Sequence, residues 1–238
     1  MTFTLNDVVP WGRSYDEYVR MFALAEPDFR LRIIGCADGP ASFNAEAARR
    51  GVRVVSCDPL YAFAAAAVRE RIEATSPEIL EQTRKNAATF VWNTIASVDE
   101  LGIVRMAAMS KFLEDYERGL EERRYVAAAL PDLPFQEGAF DLALCSHFLF
   151  LYSERLGRDF HVDAARELCR VAGEVRIFPL LSLDGERSPF VDTVSTALAG
   201  SGMEVSLEVV PYEFQRGGNQ MMRIRRGAAH GGVKCCPP

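Results

Sequence analysis

The sequence is poor in the features that would send it to a membrane, a nucleic acid or a secreted disulfide scaffold. Its 238 residues contain no run near the roughly 20 apolar residues that span a bilayer. Basic residues are outnumbered, 27 Lys and Arg against 33 Asp and Glu, a net charge of −6 that argues against a phosphate backbone as main partner. Arg123-Arg124 and Arg223–Arg226 are local basic clusters of the kind found on solvated surfaces. The six cysteines have no paired spacing and no zinc pattern, so neither a disulfide framework nor a structural zinc site is expected; such thiols suit a reducing compartment. The opening residues, MTFTLNDVVPWGRS, lack the basic start and apolar core of an export signal, so the expectation is a cytoplasmic protein with no membrane partner. No internal repeat is visible. Histidine is scarce, with three in the chain, which makes each one conspicuous.

What is present is an ordinary globular balance, 49% hydrophobic and 25% charged, in a length that suits one α/β domain with an elaboration. The organising stretch is Leu31–Phe43, LRIIGCADGPASF. Leu31–Ile34 reads as a short buried strand, Ala37-Asp38-Gly39-Pro40 as a breaker cluster, and Asn44–Arg50 as a resumed helix. This is the first half of a βαβ unit. Its small residues let a ligand approach the backbone, and the helix start behind them favours polar or anionic groups. A second apolar run, Val52–Val55, ends in Ser56-Cys57-Asp58. An acid at the tip of the second strand is where nucleoside-binding α/β folds hold ribose hydroxyls.

The remaining elements follow from periodicity and breakers. Ser14-Tyr15-Asp16-Glu17 is a capping box opening a helix to about Leu24, with Tyr18, Phe22 and Leu24 as its buried stripe. Between 64 and 124 lies a long helical stretch, read as two or three helices. Thr75-Ser76-Pro77 is expected to break its first helix, Pro77 to start a second running to about Trp92, and Ser97 to start a third with Leu101, Val104, Ala108, Phe112, Tyr116 and Leu120 on one face. Strands are expected at Tyr125–Leu130, Phe140–Leu144, Glu174–Leu180, Met203–Val209 and Gln220–Arg225, and helices at Phe160–Val171 and Pro189–Leu198. The 227–238 segment has no periodicity and is expected to be a flexible tail.

The 31–43 turn, Asp58, and the later LPFQEGAFDLALCSHFLF block (133–150) together resemble class I S-adenosylmethionine (SAM)-dependent methyltransferases. The resemblance covers roughly Leu31 to Arg225 apart from the 64–124 stretch. The first motif departs from the family: Gly35 stands where an acid is usual, Ala37 and Ala41 where glycines are usual, and only Gly39 matches. Asp38, inside the turn, is the candidate for the missing charge. The resemblance implies an α/β, Rossmann-like seven-stranded sheet of order 3-2-1-4-5-7-6, last strand antiparallel, with a helical insertion between strands 2 and 3. It implies a single methyltransferase domain over residues 1–226, with 1–30 an N-terminal helical lid, from which Arg13, Tyr15 or Tyr18 would line the cofactor pocket, and 64–124 the insertion.

It further implies SAM as cofactor and a small-molecule acceptor as partner, in a monomer or homodimer. Cofactor contacts are expected from Cys36, Ala37, Asp38, Gly39, Pro40, Asp58, Pro59, Asp132, Leu133 and Ser146. His147 is the candidate base for a hydroxyl acceptor. Tyr152, Arg176, Glu213, Gln215, Arg216 and Asn219 are candidate acceptor contacts, with Glu213 one option for the partner that a strand-borne Arg176 needs. Cys36, Cys57 and Cys145 end neighbouring strands. They read first as small core residues and alternatively, with Cys235-Cys236, as thiolates for a trivalent arsenical or other thiophilic acceptor. A non-catalytic SAM-binding regulator is a further alternative. A nicotinamide oxidoreductase is disfavoured, because the G-x-G-x-x-G spacing is missing.

Overall fold

The computed structural model describes residues 10–227. Ser14 caps the first helix, α1 (Tyr15–Met21), by the reciprocal pair its Ser-x-x-Glu pattern implies: the Ser14 hydroxyl accepts from the Glu17 amide and the Glu17 carboxylate from the Ser14 amide. The first βαβ unit follows as β1 (Arg32–Cys36), α2 (Phe43–Arg49) and β2 (Arg53–Cys57). Two long helices, α3 (Ala65–Lys85) and α4 (Val98–Glu121), then precede β3 (Tyr125–Val126). The rest of the chain gives β4 (Phe140–Ser146), α5 (Arg158–Val171), β5 (Ala172–Phe178), α6 (Val191–Ala199), β6 (Met203–Val209) and β7 (Gln220–Arg226).

The strands form one seven-stranded sheet in the order β3-β2-β1-β4-β5-β7-β6. β7 runs antiparallel to both its neighbours, and all other pairings are parallel. This is the Rossmann-like order expected of the class I methyltransferase fold. β4 is covered on both faces and carries the continuous apolar run that a central parallel strand requires. The order reverses between β1 and β4, which leaves a crevice beyond the carboxyl ends of those strands. Among the described residues no helix is long and apolar enough to cross a membrane.

Three local expectations are corrected. Pro77 does not end a helix: α3 runs through it without interruption. The hydroxyls of Thr75 and Ser76 donate to the carbonyls of Arg71 and Ile72 one turn back. Packing of Val68 and Ile72 against Met109 and Phe112, and of Leu80 over Gly102, holds α3 to α4 on both sides of the proline, so tertiary contact outweighs the local breaker. The insertion is therefore two long helices, and α3 stops at Lys85, short of Trp92. β3 is only two residues long, because the chain leaves the ladder for a bridge between Ala129 and Asp132. The expected tail beyond Gly227, Cys235-Cys236, and the first nine residues of the expected lid lie outside the described residues.

Candidate functional site

A cavity of about 640 Å³ lies over the carboxyl ends of β1, β2 and β4. Its floor is the 36–40 turn, Asp58–Leu60 and Ser146–Phe148, and α3 contributes Val68, Arg71, Ile79 and Thr83. The segment after α3 joins the loop between β6 and β7 to close one side. Val91 donates to the Phe214 carbonyl, Arg216 donates from its amide to Thr89, and the Phe90 and Phe214 rings stack 4.9 Å apart.

The turn is built around Asp38. Its carboxylate folds back over β1, so that a Cβ at Gly35 would lie 1.9 Å from Asp38 Oδ2; only glycine fits there. Ala37 and Gly39 both take positive φ, and the Ala37 amide donates to the Cys57 carbonyl at 2.8 Å, tying the turn to the end of β2. Tyr18 donates its hydroxyl to Asp38 Oδ1 at 2.8 Å, and Ser56 donates to Oδ2 at 2.6 Å. Asp38 is 7% exposed. Burial outweighs those two hydrogen bonds, and the neighbouring Asp58 adds repulsion, so the Asp38 carboxyl is pushed up to about 7.

Asp58, at the tip of β2, is held from two sides. Its Oδ2 accepts from the Gly39 amide at 2.9 Å and its Oδ1 from the Leu60 amide at 2.8 Å. Each oxygen keeps a lone pair. Burial raises its pKa against these two hydrogen bonds. Tyr61 braces the same turn, donating to the Gly39 carbonyl at 2.7 Å.

On the other side of the crevice His147 follows β4 with a φ of +50°, pinned by its amide to the Phe178 carbonyl at 2.7 Å. Its Nδ1 lies 3.0 Å from the Ser146 hydroxyl and its ring meets Phe178 edge-on. Burial, followed by the guanidinium groups of Arg13 and Arg105, holds this imidazole well below its ordinary pKa, so it is uncharged at neutral pH. Beneath α1 lies a buried ionic group. Arg105 of α4, wholly buried, donates to Glu17 Oε2 at 2.5 Å, and Tyr212 donates to Glu17 Oε1 at 2.8 Å. Against its burial, Arg105, then Arg13 and the Ser14 amide, keep the Glu17 carboxylate ionised far below the usual range. Gly12 passes so close to Pro40 that a Cβ would lie 2.1 Å from its carbonyl oxygen, and this contact sets Arg13 over the cavity.

Of the residues singled out in the sequence, Arg13, Tyr18, Cys36, Ala37, Asp38, Gly39, Pro40, Cys57, Asp58, Pro59, Leu133, Ser146, His147, Tyr152 and Gln215 line this one cavity. Others lie outside its lining; one is Tyr15 of α1, whose ring stacks on Phe43. Asp132 is exposed beside the Ala129 bridge. Arg176 sits two residues back from the end of β5, and its partners are Asp28, at 3.1 Å, and Glu174, at 2.6 Å, in place of Glu213. It also donates to the Phe22 carbonyl at the end of α1, a favourable place for a cation. Glu213 accepts from the Gly217 amide and so fixes its own loop; Arg216 reaches the Phe90 carbonyl; the Asn219 carbonyl accepts from Val210.

Ser56, Tyr61 and the Glu17–Arg105–Tyr212 group were not foreseen. Arg105 did leave a trace, as a charge set within the apolar stripe that runs from Leu101 to Phe112. The three strand-end cysteines are buried thiols. Burial pushes Cys57 and Cys145 to about 12 and raises Cys36, so they are protonated, and no cluster of three or more metal-ligating side chains occurs among the described residues.

No protein-family model matches the chain. An uncharacterized protein of Methanocaldococcus jannaschii, MJ0045, is 35% identical over 225 residues, covering 93% of this chain and 98% of that protein. Among solved structures, magnesium protoporphyrin IX methyltransferase from Synechocystis PCC 6803 with bound SAM is 12% identical, with a TM-score of 0.46 over 89% of this chain and 77% of that one. A Burkholderia thailandensis 1,6-didemethyltoxoflavin-N1-methyltransferase with bound 1,6-didemethyltoxoflavin and S-adenosylhomocysteine is 12% identical, with a TM-score of 0.48 over 87% and 75%. Likenesses of that depth do not carry an activity or a ligand from one chain to another.

Proposed function

The chain belongs to the family of the archaeal protein MJ0045, and from the cavity we propose that it is a SAM-dependent methyltransferase acting on a small molecule. The observation that carries this reading is the meeting of Asp58 with the 36–40 turn at the reversal point of the sheet. The residues fit the cofactor. The two free lone pairs of Asp58 suit the adjacent hydroxyls of a ribose. Asp38, sharing the turn, suits the methionine ammonium and takes the part of the acid that Gly35 lacks. Arg13, whose Nε has no partner among the described residues, suits the methionine carboxylate. Leu130 and Leu133 offer an apolar seat for adenine.

Held there by Asp58, Asp38 and Arg13, SAM would supply an electrophilic methyl group on a positive sulfur. The protein's part is to hold the two reactants in line and to exclude water. α1, α3, α4 and the 213–218 loop, acting as one lid over a single methyltransferase domain, do the second. His147 faces the acceptor as a neutral imidazole. It positions the acceptor by hydrogen bonding and is too weak a base to strip an unactivated alcohol before transfer. The protonated, packed cysteines give no support to a thiolate-bound arsenical.

Titration calorimetry with SAM, S-adenosylhomocysteine and NADH tests the reading. Saturable binding of the first two and none of the third is expected, followed by S-adenosylhomocysteine formation with one member of an acceptor panel. Absence of binding by both sulfur nucleosides would end it; binding without turnover on any acceptor would leave the regulator.

A further inference from the structure

Four polar side chains of the cavity lining are joined into one hydrogen-bonded chain. Asp38 Oδ1 accepts from the Tyr18 hydroxyl at 2.8 Å, and the Ser146 hydroxyl hydrogen-bonds the Tyr18 oxygen in turn. Ser146 Oγ lies 3.0 Å from His147 Nδ1. Asp38, Tyr18 and Ser146 are buried, so water competes little for these bonds. His147 ends the chain in the cavity wall, and its Nε2 has no hydrogen-bond partner among the described residues.

The chain has a direction. An ionised carboxylate can only accept, and Asp38 takes a second hydrogen bond, from Ser56, on Oδ2. Tyr18 has one proton and gives it to Asp38, so Ser146 donates to the Tyr18 oxygen. Ser146 also has one proton, and its oxygen is left to accept from His147. That puts the imidazole proton on Nδ1 and leaves the Nε2 lone pair open to the cavity. In water the neutral imidazole of histidine prefers the opposite tautomer, so the chain overrides an intrinsic preference.

Resting on the methyltransferase reading, we propose that Tyr18 and Ser146 are positioning residues that hold His147 in its Nδ1–H tautomer, and that the acceptor is a molecule presenting an N–H or O–H to Nε2. The same acceptor atom then keeps a lone pair free for the reaction. Thioethers, tertiary amines and ring nitrogens without hydrogen would set lone pair against lone pair and leave Nε2 desolvated without a partner. Phe148, Phe178, Phe214 and Leu183 share the lining with His147, so a flat apolar body carrying that N–H or O–H suits the space.

Nitrogen-15 spectra of the unliganded, histidine-labelled protein read the tautomer directly at pH 8.5, above the value of about 7 to which Asp38 is raised. His161 is the reference within the molecule: its Nδ1 lies 2.9 Å from the Gly157 carbonyl, which can only accept, so its proton is on Nδ1. His147, assigned by the signals lost in His147→Gln, should show a protonated Nδ1 and a bare Nε2. Tyr18→Phe keeps the ring that stacks on Phe43 and cuts the chain two links from the imidazole. It should shift His147 toward the Nε2–H form and leave His161 as it was. A wild-type His147 protonated on Nε2, or a tautomer unmoved in Tyr18→Phe, would overturn the proposal. Indole and benzofuran, one bicycle with and without an N–H, test the acceptor by calorimetry in saturating S-adenosylhomocysteine. Indole should bind about fivefold tighter or more. Absence of that preference, through equal binding or none, would overturn the assignment of the acceptor. If S-adenosylhomocysteine itself does not bind, the methyltransferase reading fails alone; the tautomer and the indole preference are then read on the unliganded protein.

Discussion

Acidifying the solution from pH 7.5 to 5.5 should weaken S-adenosylhomocysteine binding roughly 25-fold, and Asp38→Asn should abolish that dependence. The Asp38 carboxyl titrates near 7 because burial disfavours its charge more than Tyr18 and Ser56 favour it. Its ionised form is the one that suits a methionine ammonium. With a pKa of about 7, about three quarters of the molecules carry that charge at pH 7.5 and about 3% at pH 5.5; the ratio corresponds to about 2 kcal/mol. The sign follows from the direction of the shift: a raised carboxyl must lose its proton to bind, so affinity rises with pH up to the pKa and then levels. Binding below pH 7 should release a proton, visible as a calorimetric heat that scales with the ionisation enthalpy of the buffer. Asp58 is raised by burial as well, so the asparagine variant is needed to attribute the slope. Affinity that is flat over this range, or an equal slope in Asp38→Asn, would refute the reasoning.

Other outcomes follow from the same geometry. Without cofactor, Asp38→Asn should raise stability at pH 8 by up to about 4 kcal/mol and change little at pH 4, because a buried carboxyl with a raised pKa penalises the fold only where it is ionised; chemical denaturation at the two pH values reads this. Asp58→Ala should cost about 1–3 kcal/mol of S-adenosylhomocysteine affinity, measured by calorimetry, through loss of a charge-assisted acceptor at the ribose. Gly35→Ala should drive Asp38 off Tyr18 and Ser56, costing about 1–3 kcal/mol of stability together with nucleoside binding; a variant that melts and binds as wild type would show that the turn can give. Arg105→Met strands the buried Glu17 carboxylate and should lower unfolding stability by about 3–5 kcal/mol, most of it restored by adding Glu17→Gln; additive losses in the double variant would mean the two are not a unit.

Much of the cavity floor around Asp38 and Asp58 is legible in the sequence alone. A short apolar run, a cluster of small and breaking residues and a resumed helix identify a strand–turn–helix, and a second run ending in Asp58 places an acid beside it. Both signals are local, and the sheet order then brings together residues whose strands already end at the same level. The residues proposed as acceptor contacts reach the cavity only in part. Tyr152 and Gln215 reach the cavity, whereas Glu213 holds the Gly217 amide of its own loop, Arg216 bonds the segment after α3, and Asn219 lies outside the lining.

What the sequence determined by itself is the alternation of elements, the cap on α1 and the composition of the 36–40 turn, because strand runs, capping boxes and turn residues act over a few positions. Only the tertiary structure decided that α3 would run on through Pro77, that Asp38 would fold back over Gly35, and that Arg176 would pair with Asp28 across 148 residues. It also decided that Glu17 would meet Arg105 at a separation of 88 residues and Tyr212 at 195. A buried charge takes whichever partner packing brings within reach, and no periodicity along the chain records which one that is.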